Sequence, residues 1–188
     1  MKRLLPLLAL MLACAVARAA QPLPGDSVYQ LKIQLTDQDG QRQMLAARRG
    51  RPQVLALFYA SCRMVCPMIV DSMQATYKAM PPAQRAKLDL LAVSFDPERD
   101  SVAALKRYAQ MRGLATPPWT LARTDAAHVR QLAGALGLQY RQLPDGGFNH
   151  SSELILLDAD GRIAARTTHV GQLDPAFVEA IRHQLDGM

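Results

Sequence analysis

Residues 53–67 read QVLALFYASCRMVCP, and this stretch decides the fold class. Its first seven residues form a continuous run dominated by apolar side chains, which is typical of a central strand covered on both faces. The run leads directly into Cys62 and Cys66, and then into Pro67, which suits the first turn of a helix. The stretch therefore predicts a buried strand that ends at a pair of thiols and continues into a helix.

Apolar residues continue at helical spacing after the second cysteine, and Pro81-Pro82 ends the helix. Met73 and Met80 lie on this apolar stripe and are predicted to belong to the core. Met68 falls off the stripe, so it is a candidate to approach a bound metal. Trp119 follows two prolines and is predicted to be a packing anchor.

The rest of the chain alternates between strand and helix patterns. We predict strands over residues 29–36, 88–95, 138–143, 153–157 and 162–167, and helices over 101–112, 125–136 and from 175 onwards. Asp96 and Asp100 follow the second of these strands and are interpreted as carboxylates that order the loop and cap the next helix. The alternation, with no linker, predicts one α/β domain over residues 20–188, built in three layers.

Composition sets wider bounds on the class of protein. The chain has 188 residues, of which 49% are hydrophobic and 20% charged, so it is long enough for one domain with a full core. These fractions exclude global disorder, collagen and coiled coil. Three cysteines do not make a disulfide framework, and no repeat indicates a solenoid.

The N-terminus predicts export. A basic start at residues 2–3 is followed by an apolar run that ends in the small-x-small pattern at residues 17–19. Residues 1–19 are therefore predicted to be a cleaved signal peptide, with lipoprotein-type processing at Cys14 as the alternative. The predicted location is the periplasm, either free or held on the membrane by a lipid at the N-terminus.

The net charge of the exported part is small. Residues 1–19 carry three basic residues and no acidic one, so the remainder has 19 basic against 16 acidic residues, a net charge of +3. Without a dense lysine and arginine run, this balance does not indicate nucleic-acid binding.

The cysteine pair suits chemistry better than stabilisation. A disulfide that closes so short a loop stabilises a protein by only about 2 kcal/mol. A helix N-terminus stabilises thiolate, and two sulfurs four positions apart can face the same way. Cys62 and Cys66 are therefore predicted either to form a reactive disulfide or to hold a soft metal ion.

Copper fits this donor set better than zinc, because a structural zinc site needs four ligands and no second cysteine pair is present. A third ligand has to come from a histidine. His150 is favoured because it follows a glycine-rich loop near a strand, and His169 is the next choice. His128 and His183 lie among polar residues of predicted helices and are interpreted as surface residues.

Three segments in order resemble the Sco/SenC family of exported copper proteins associated with the binuclear copper centre of cytochrome c oxidase. They are FYASCRMVCPMI at 58–69, VSFDPERDSVAALKRYA at 93–109 and HSSELILLDADGR at 150–162, and the resemblance runs from Leu31 to the C-terminus. It implies a thioredoxin-like three-layer α/β/α sandwich with a central mixed sheet. It also implies one copper per chain, as Cu(I) or Cu(II), bound by Cys62, Cys66 and His150.

The sequence departs from that family beside the first cysteine. The usual proline and frequent acidic residue are replaced by Arg63 and Met64. A positive charge disfavours a divalent cation, and a thioether from Met64 or Met68 favours Cu(I). The hypothesis is a site biased towards Cu(I) or towards thiol chemistry.

Two functions remain open. In the first, the protein delivers copper to the copper-receiving oxidase subunit, or prepares its thiols, after loading from a copper donor protein. In the second, it is a periplasmic thiol–disulfide oxidoreductase acting on an exported thiol protein, with Cys62 as nucleophile and Cys66 as resolving thiol. A peroxide-reducing function has weaker support, since only Ser61 and Arg63 would assist one cysteine.

Overall fold

The structure is a computed structural model, and it describes residues 22–144 and 146–187. The predicted signal peptide, including Cys14, lies outside the described residues. The strands are β1 (Gln34–Asp37), β2 (Arg42–Met44), β3 (Gln53–Phe58), β4 (Asp89–Ser94), β5 (Trp119–Arg123), β6 (Tyr140–Gln142), β7 (Phe148–His150), β8 (Leu154–Leu157) and β9 (Ile163–Thr167). The helices are α1 (Val65–Lys78), α2 (Pro82–Arg85), α3 (Val102–Met111), α4 (Ala126–Leu136) and α5 (Pro175–Asp186).

Seven strands form one mixed sheet in the order β2-β1-β5-β4-β3-β8-β9. β3 pairs in parallel with β4 and antiparallel with β8, and β4 pairs in parallel with β5. All six residues of β3 are buried, which confirms the predicted central strand. This position brings the end of β3, and the cysteines that follow it, to the middle of the molecule.

Apolar side chains cover both faces of this sheet. On one face, α1, α3 and α5 pack over β3, β4 and β8. On the other face, α4 and the segment around Tyr29 cover the same strands. Met73, Met80 and Trp119 are buried, as predicted. The result is the expected three-layer α/β/α arrangement with a central mixed sheet.

A separate two-stranded sheet is formed by the hairpin of β6 and β7, in which Tyr140 lies opposite His150. The strands predicted over residues 138–143 and 153–157 are both present, as β6 and β8, but they lie in different sheets, and β7 between them was not predicted. Residues 154–157 are fully buried and belong to the large sheet, whereas Arg141 and Asn149 are exposed. Burial therefore draws β8 into the core sheet and leaves β6 to pair with the short β7.

Two further differences concern the large sheet. The strand predicted over residues 29–36 begins only at Gln34, because Val28–Gln30 form a 3₁₀ turn capped by the Ser27 side chain. β5 was not predicted, although it is a parallel neighbour of β4. No helix in the part of the chain that the structure describes is both long and apolar enough to cross a membrane.

Candidate metal centre

The two cysteines lie where β3 meets α1. β3 ends at Phe58 and α1 begins at Val65, so Cys62 lies in the connecting loop and Cys66 in the first helical turn. The backbone N–H of Cys66 donates a hydrogen bond to Cys62 Sγ over 3.3 Å. Both thiols are free, with Cys62 half-buried and Cys66 fully buried. The helix start therefore holds the more accessible sulfur against an N–H group that would otherwise lack an intrahelical acceptor.

Asp100 fixes the loop that carries Cys62. Its carboxylate accepts a hydrogen bond from the backbone N–H of Ala60 over 2.9 Å and one from the Ser94 hydroxyl over 2.5 Å. Asp100 is only 1% exposed, so water cannot replace either bond. Asp96 forms an ion pair with Arg99. Both carboxylates thus order the loop, as predicted, but the predicted capping of α3 was wrong, because Ser101 accepts the hydrogen bond from the N–H of Ala104 at its start.

His150 ends β7 and faces the buried cysteine. Its Nε2 lies 3.9 Å from Cys66 Sγ, and its Nδ1 lies 2.9 Å from the carbonyl oxygen of Ser151. Because a carbonyl can only accept, Nδ1 carries the hydrogen and donates it. In the neutral ring, Nε2 then has its lone pair free on the side of the thiol, as a metal ligand requires.

An aromatic cluster holds this imidazole. The ring of Phe95 is 4.8 Å from that of His150, 5.1 Å from Phe148 and 5.4 Å from Tyr140. Tyr59 lies 6.2 Å from His150 in an edge-on arrangement. The sequence analysis missed this cluster, because its members come from four segments and share no spacing. Tyr59 alone carried a signal, since it lies three residues before Cys62.

The environment drives the acidities of the two thiols apart. Burial opposes ionisation of Cys62, but hydrogen bonds from the backbone N–H groups of Cys66 and Met64 outweigh it and hold the pKa of Cys62 below its ordinary value. Burial raises the pKa of Cys66 well above its ordinary range, and the neighbouring Cys62 raises it further. Burial, followed by the hydrogen bond with Cys62, raises the pKa of Tyr59 to about 12.

The spacing of donors fits a bound metal ion. With metal–sulfur bonds of about 2.3 Å and metal–nitrogen bonds of about 2.0–2.1 Å, a thiolate and an imidazole at 120° lie about 3.8 Å apart. The Cys66–His150 distance of 3.9 Å matches that value. Among residues 22–144 and 146–187, however, no three histidine, cysteine or acidic side chains are already gathered around one metal position. Binding by three ligands therefore requires one donor side chain to rotate, and Cys62 is the less buried of the two cysteines.

The other candidate donors lie elsewhere or are engaged. His169 is exposed, and its Nδ1 lies 3.2 Å from the Asp174 carboxylate. His128 contacts Asp125, and His183 is exposed on α5. The structure brings none of these three histidines together with the cysteine pair in the contacts it describes.

The two candidate methionines differ in position. Met64 is 79% exposed and lines a cavity of about 330 Å³ together with Cys62 and His150. Met68 is 42% exposed, and its methyl group lies against Gly171. Met64 is therefore the thioether placed beside the candidate site.

Known proteins that are similar to this chain in sequence or structure include copper-binding and Sco proteins. A protein of Stutzerimonas stutzeri that is named for copper binding is 26% identical over 136 residues, which cover 70% of this chain. The match spans 65% of that relative's length. ScoI of Bradyrhizobium japonicum, solved with copper bound, superposes with a TM-score of 0.66 at 24% identity, covering 81% of this chain and 96% of that one.

A SCO1/SenC family lipoprotein of Bacillus anthracis has a TM-score of 0.72 at 18% identity, over 80% of this chain and 91% of that one. These two structural similarities establish the thioredoxin-like fold. The model of the SCO1/SenC family matches residues 23–186, which is most of the sequence. The chain therefore belongs to the SCO1/SenC family.

Proposed function

We propose that this chain is an exported copper-binding protein that carries one copper ion on Cys62, Cys66 and His150. It delivers the ion to the binuclear copper centre of cytochrome c oxidase, or prepares the thiols of that centre. The observation that carries the proposal is the 3.9 Å approach of His150 Nε2 to Cys66 Sγ beside a second free thiol. Two thiolates and one imidazole suit Cu(I) and also accept Cu(II).

The three proposed copper ligands differ in how deeply they are buried and how firmly they are held. Cys66 is buried under the start of α1, and His150 is held by its hydrogen bond to Ser151, so these two form the fixed side of the site. Cys62 is half-buried and faces the open cavity. An incoming ligand from a partner reaches the ion from that side. We infer that ligand exchange begins by displacement of Cys62.

Thiol–disulfide exchange is the second candidate function, and the lowered pKa of Cys62 favours it. The Cys62 thiolate attacks a disulfide of the target, forms a mixed disulfide and releases one target thiolate. Cys66 then attacks Cys62 Sγ, releases the second target thiol and leaves a Cys62–Cys66 disulfide. Two electrons pass to the target, so an exported dithiol reductant must restore the pair.

Copper stoichiometry of the reduced mature chain tests the first function. We expect one tightly bound copper in the wild type and its loss in Cys62→Ser, Cys66→Ser and His150→Ala. His169→Ala is the matched control, because this imidazole is exposed and lies on another loop. A wild type that binds no copper but cycles against dithiol reductants refutes the copper function and leaves the oxidoreductase. His150→Ala is expected to abolish copper binding while largely preserving dithiol chemistry.

We further propose that residues 1–19 direct export to the periplasm and that residues 20–188 form one domain. Mass spectrometry of the mature N-terminus distinguishes the two processing routes. A chain that begins at residue 20 is free, whereas a lipidated N-terminal Cys14 is membrane-anchored.

The preference between copper oxidation states is also open to test. Arg63 is exposed next to Cys62 and forms no ion pair within the described residues. We propose that its charge lowers the affinity of the site for Cu(II). Arg63→Pro is expected to bind Cu(II) more tightly than the wild type in competition titrations with a chelator. Equal affinities would refute this effect.

A further inference from the structure

His150 also lines a second cavity, which neither cysteine lines. It is a groove of about 710 Å³ between α4 and the β6–β7 hairpin, larger than the cavity of about 330 Å³ beside Cys62. We call it the arginine groove, after Arg130 on α4 and Arg141 on β6, which both line it. The function proposed above does not use it.

The charged residues among those described as lining the arginine groove are all positive. Arg130 and Arg141 are exposed, and neither forms an ion pair with any residue that the structure describes. Of the described residues that line the groove, none is acidic. The side-chain amide of Asn149 adds a neutral donor at the same wall. The groove therefore presents two guanidinium groups without counter-charges, the arrangement that suits carboxylates.

The floor of the groove is open. It is formed on α4 by Ala133 and Gly134, which carry the smallest side chains available. A methyl group built at Gly134 would meet nothing within 4 Å. A polypeptide segment can therefore approach α4 at Gly134 without meeting another side chain there.

The groove shares a wall with the candidate metal centre. Asn149 and His150 line both the arginine groove and the cavity that contains Cys62. A segment bound in the groove therefore lies against the same hairpin that carries the copper ligand. This continuity separates the groove from an arbitrary charged patch.

We propose that the arginine groove docks an acidic segment of the protein that exchanges copper with this chain, an inference that rests on the proposed copper function. The acidic side chains pair with Arg130 and Arg141, and the rest of the partner extends over the hairpin towards Cys62. The exposed charge pairs steer the encounter and fix its orientation, and they contribute modestly to affinity.

Binding of fluorescein-labelled hexaglutamate to the full chain tests this docking site by fluorescence anisotropy at low ionic strength. Each exposed charge pair contributes roughly a factor of two to five to the binding affinity. The double variant Arg130→Ser, Arg141→Ser should therefore bind hexaglutamate about 4- to 25-fold more weakly. Arg107→Ser is the matched control, since Arg107 is exposed on α3 and has no ion pair among the described residues. We expect less than a twofold change in this control.

A second variant places a negative charge in the groove without removing an arginine. Gly134→Glu adds a carboxylate to the floor and replaces glycine by a better helix former, so the fold is retained while hexaglutamate binding falls at least as much as in the double variant. Unlabelled free glutamate, at the same carboxylate concentration, is expected to compete much less well than unlabelled hexaglutamate.

The outcomes separate the two proposals. Hexaglutamate affinity that is unchanged in the double variant, or reduced equally in Arg107→Ser, overturns the docking site. Equal competition by free glutamate overturns it as a peptide site and leaves a small-anion site. Copper stoichiometry, measured on the same samples, should stay at one per chain in the arginine variants. Its absence in the wild type overturns the copper function without affecting the peptide result.

Discussion

Replacing Asp100 by alanine is expected to destabilise the protein strongly, although this residue is neither a candidate copper ligand nor part of the thiol pair. Its carboxylate is the acceptor for the backbone N–H of Ala60 and the hydroxyl of Ser94. Alanine leaves both donors without an acceptor at a position that is 1% exposed. Ala60 lies two residues before Cys62, so the loop of the candidate metal centre loses its anchor as well.

The magnitude follows from those two bonds. A buried donor left without an acceptor costs about 1–3 kcal/mol, and two such donors cost about 2–6 kcal/mol. Burial raises the pKa of Asp100, which means that the ionised carboxylate is itself costly to bury, and its removal offsets part of the loss. We therefore expect a net decrease of about 2–4 kcal/mol in the free energy of unfolding. At about 2–4 °C per kcal/mol for a chain of this size, Tm falls by about 4–16 °C.

Asp100→Asn separates the hydrogen bonds from the charge. Both bonds are made to the same carboxylate oxygen, so a single amide oxygen can replace it, while the amide nitrogen becomes a buried donor that needs an acceptor. We therefore expect Asp100→Asn to lose about 1–2 kcal/mol, less than Asp100→Ala. The pKa of Asp100 is raised, so the folded state binds its proton more tightly than the unfolded state does. The wild type is therefore most favoured over this variant below the unfolded pKa of about 3.9. It loses that advantage as the pH rises through the folded pKa.

Urea unfolding followed by circular dichroism measures both variants. Asp71→Ala is the matched control, because Asp71 is an exposed carboxylate paired with Arg112 at the surface, and such pairs contribute about 0–1 kcal/mol. An Asp100→Ala protein within about 1 kcal/mol of the wild type would refute the reasoning. An Asp100→Asn protein as unstable as Asp100→Ala would show that restoring the acceptor oxygen does not recover stability.

Two further expectations concern the thiols and a close backbone contact. Because the pKa of Cys62 is lowered and that of Cys66 is raised, iodoacetamide should modify Cys62 at a lower pH than an ordinary thiol and leave Cys66 intact. Equal modification by mass spectrometry contradicts this. Gly161→Ala should lower the free energy of unfolding by about 2 kcal/mol or more, since φ is +81° and a Cβ would lie 2.5 Å from the Tyr29 ring. Gly134→Ala, which meets open space within a helix, should be neutral or stabilising by up to about 1 kcal/mol in the same assay.

The elements that the sequence predicted well are those defined by local patterns. The short apolar run at residues 54–58 is typical of a doubly covered strand, and it lies in β3. The apolar spacing after Cys66 and the proline pair at 81–82 likewise fix the extent of α1 to within two residues. Such patterns can be recognised in the sequence because the spacing of apolar residues within a helix or strand depends on which of its faces is buried.

The elements that the sequence missed depend on contacts between distant segments. β7 has only three residues and includes the polar Asn149 and His150, so nothing local marks it as a strand. It forms because it pairs with β6 and because Phe95 packs against the rings of Phe148 and His150. The arginine groove arises in the same way, from a helix and a hairpin that are adjacent only in the folded chain. No spacing of residues predicts such neighbours.

The hairpin that carries His150 forms its own small sheet of three residue pairs, whereas Cys66 belongs to a helix packed on the large sheet. A two-stranded sheet of this size is marginally stable by itself, and here it depends on aromatic packing. An ion bound by both residues, as proposed, therefore cross-links the hairpin to α1. We therefore expect bound copper to stabilise the hairpin against local opening. A partner would then meet a more rigid surface on the copper-bound protein than on the copper-free one, without contacting the metal.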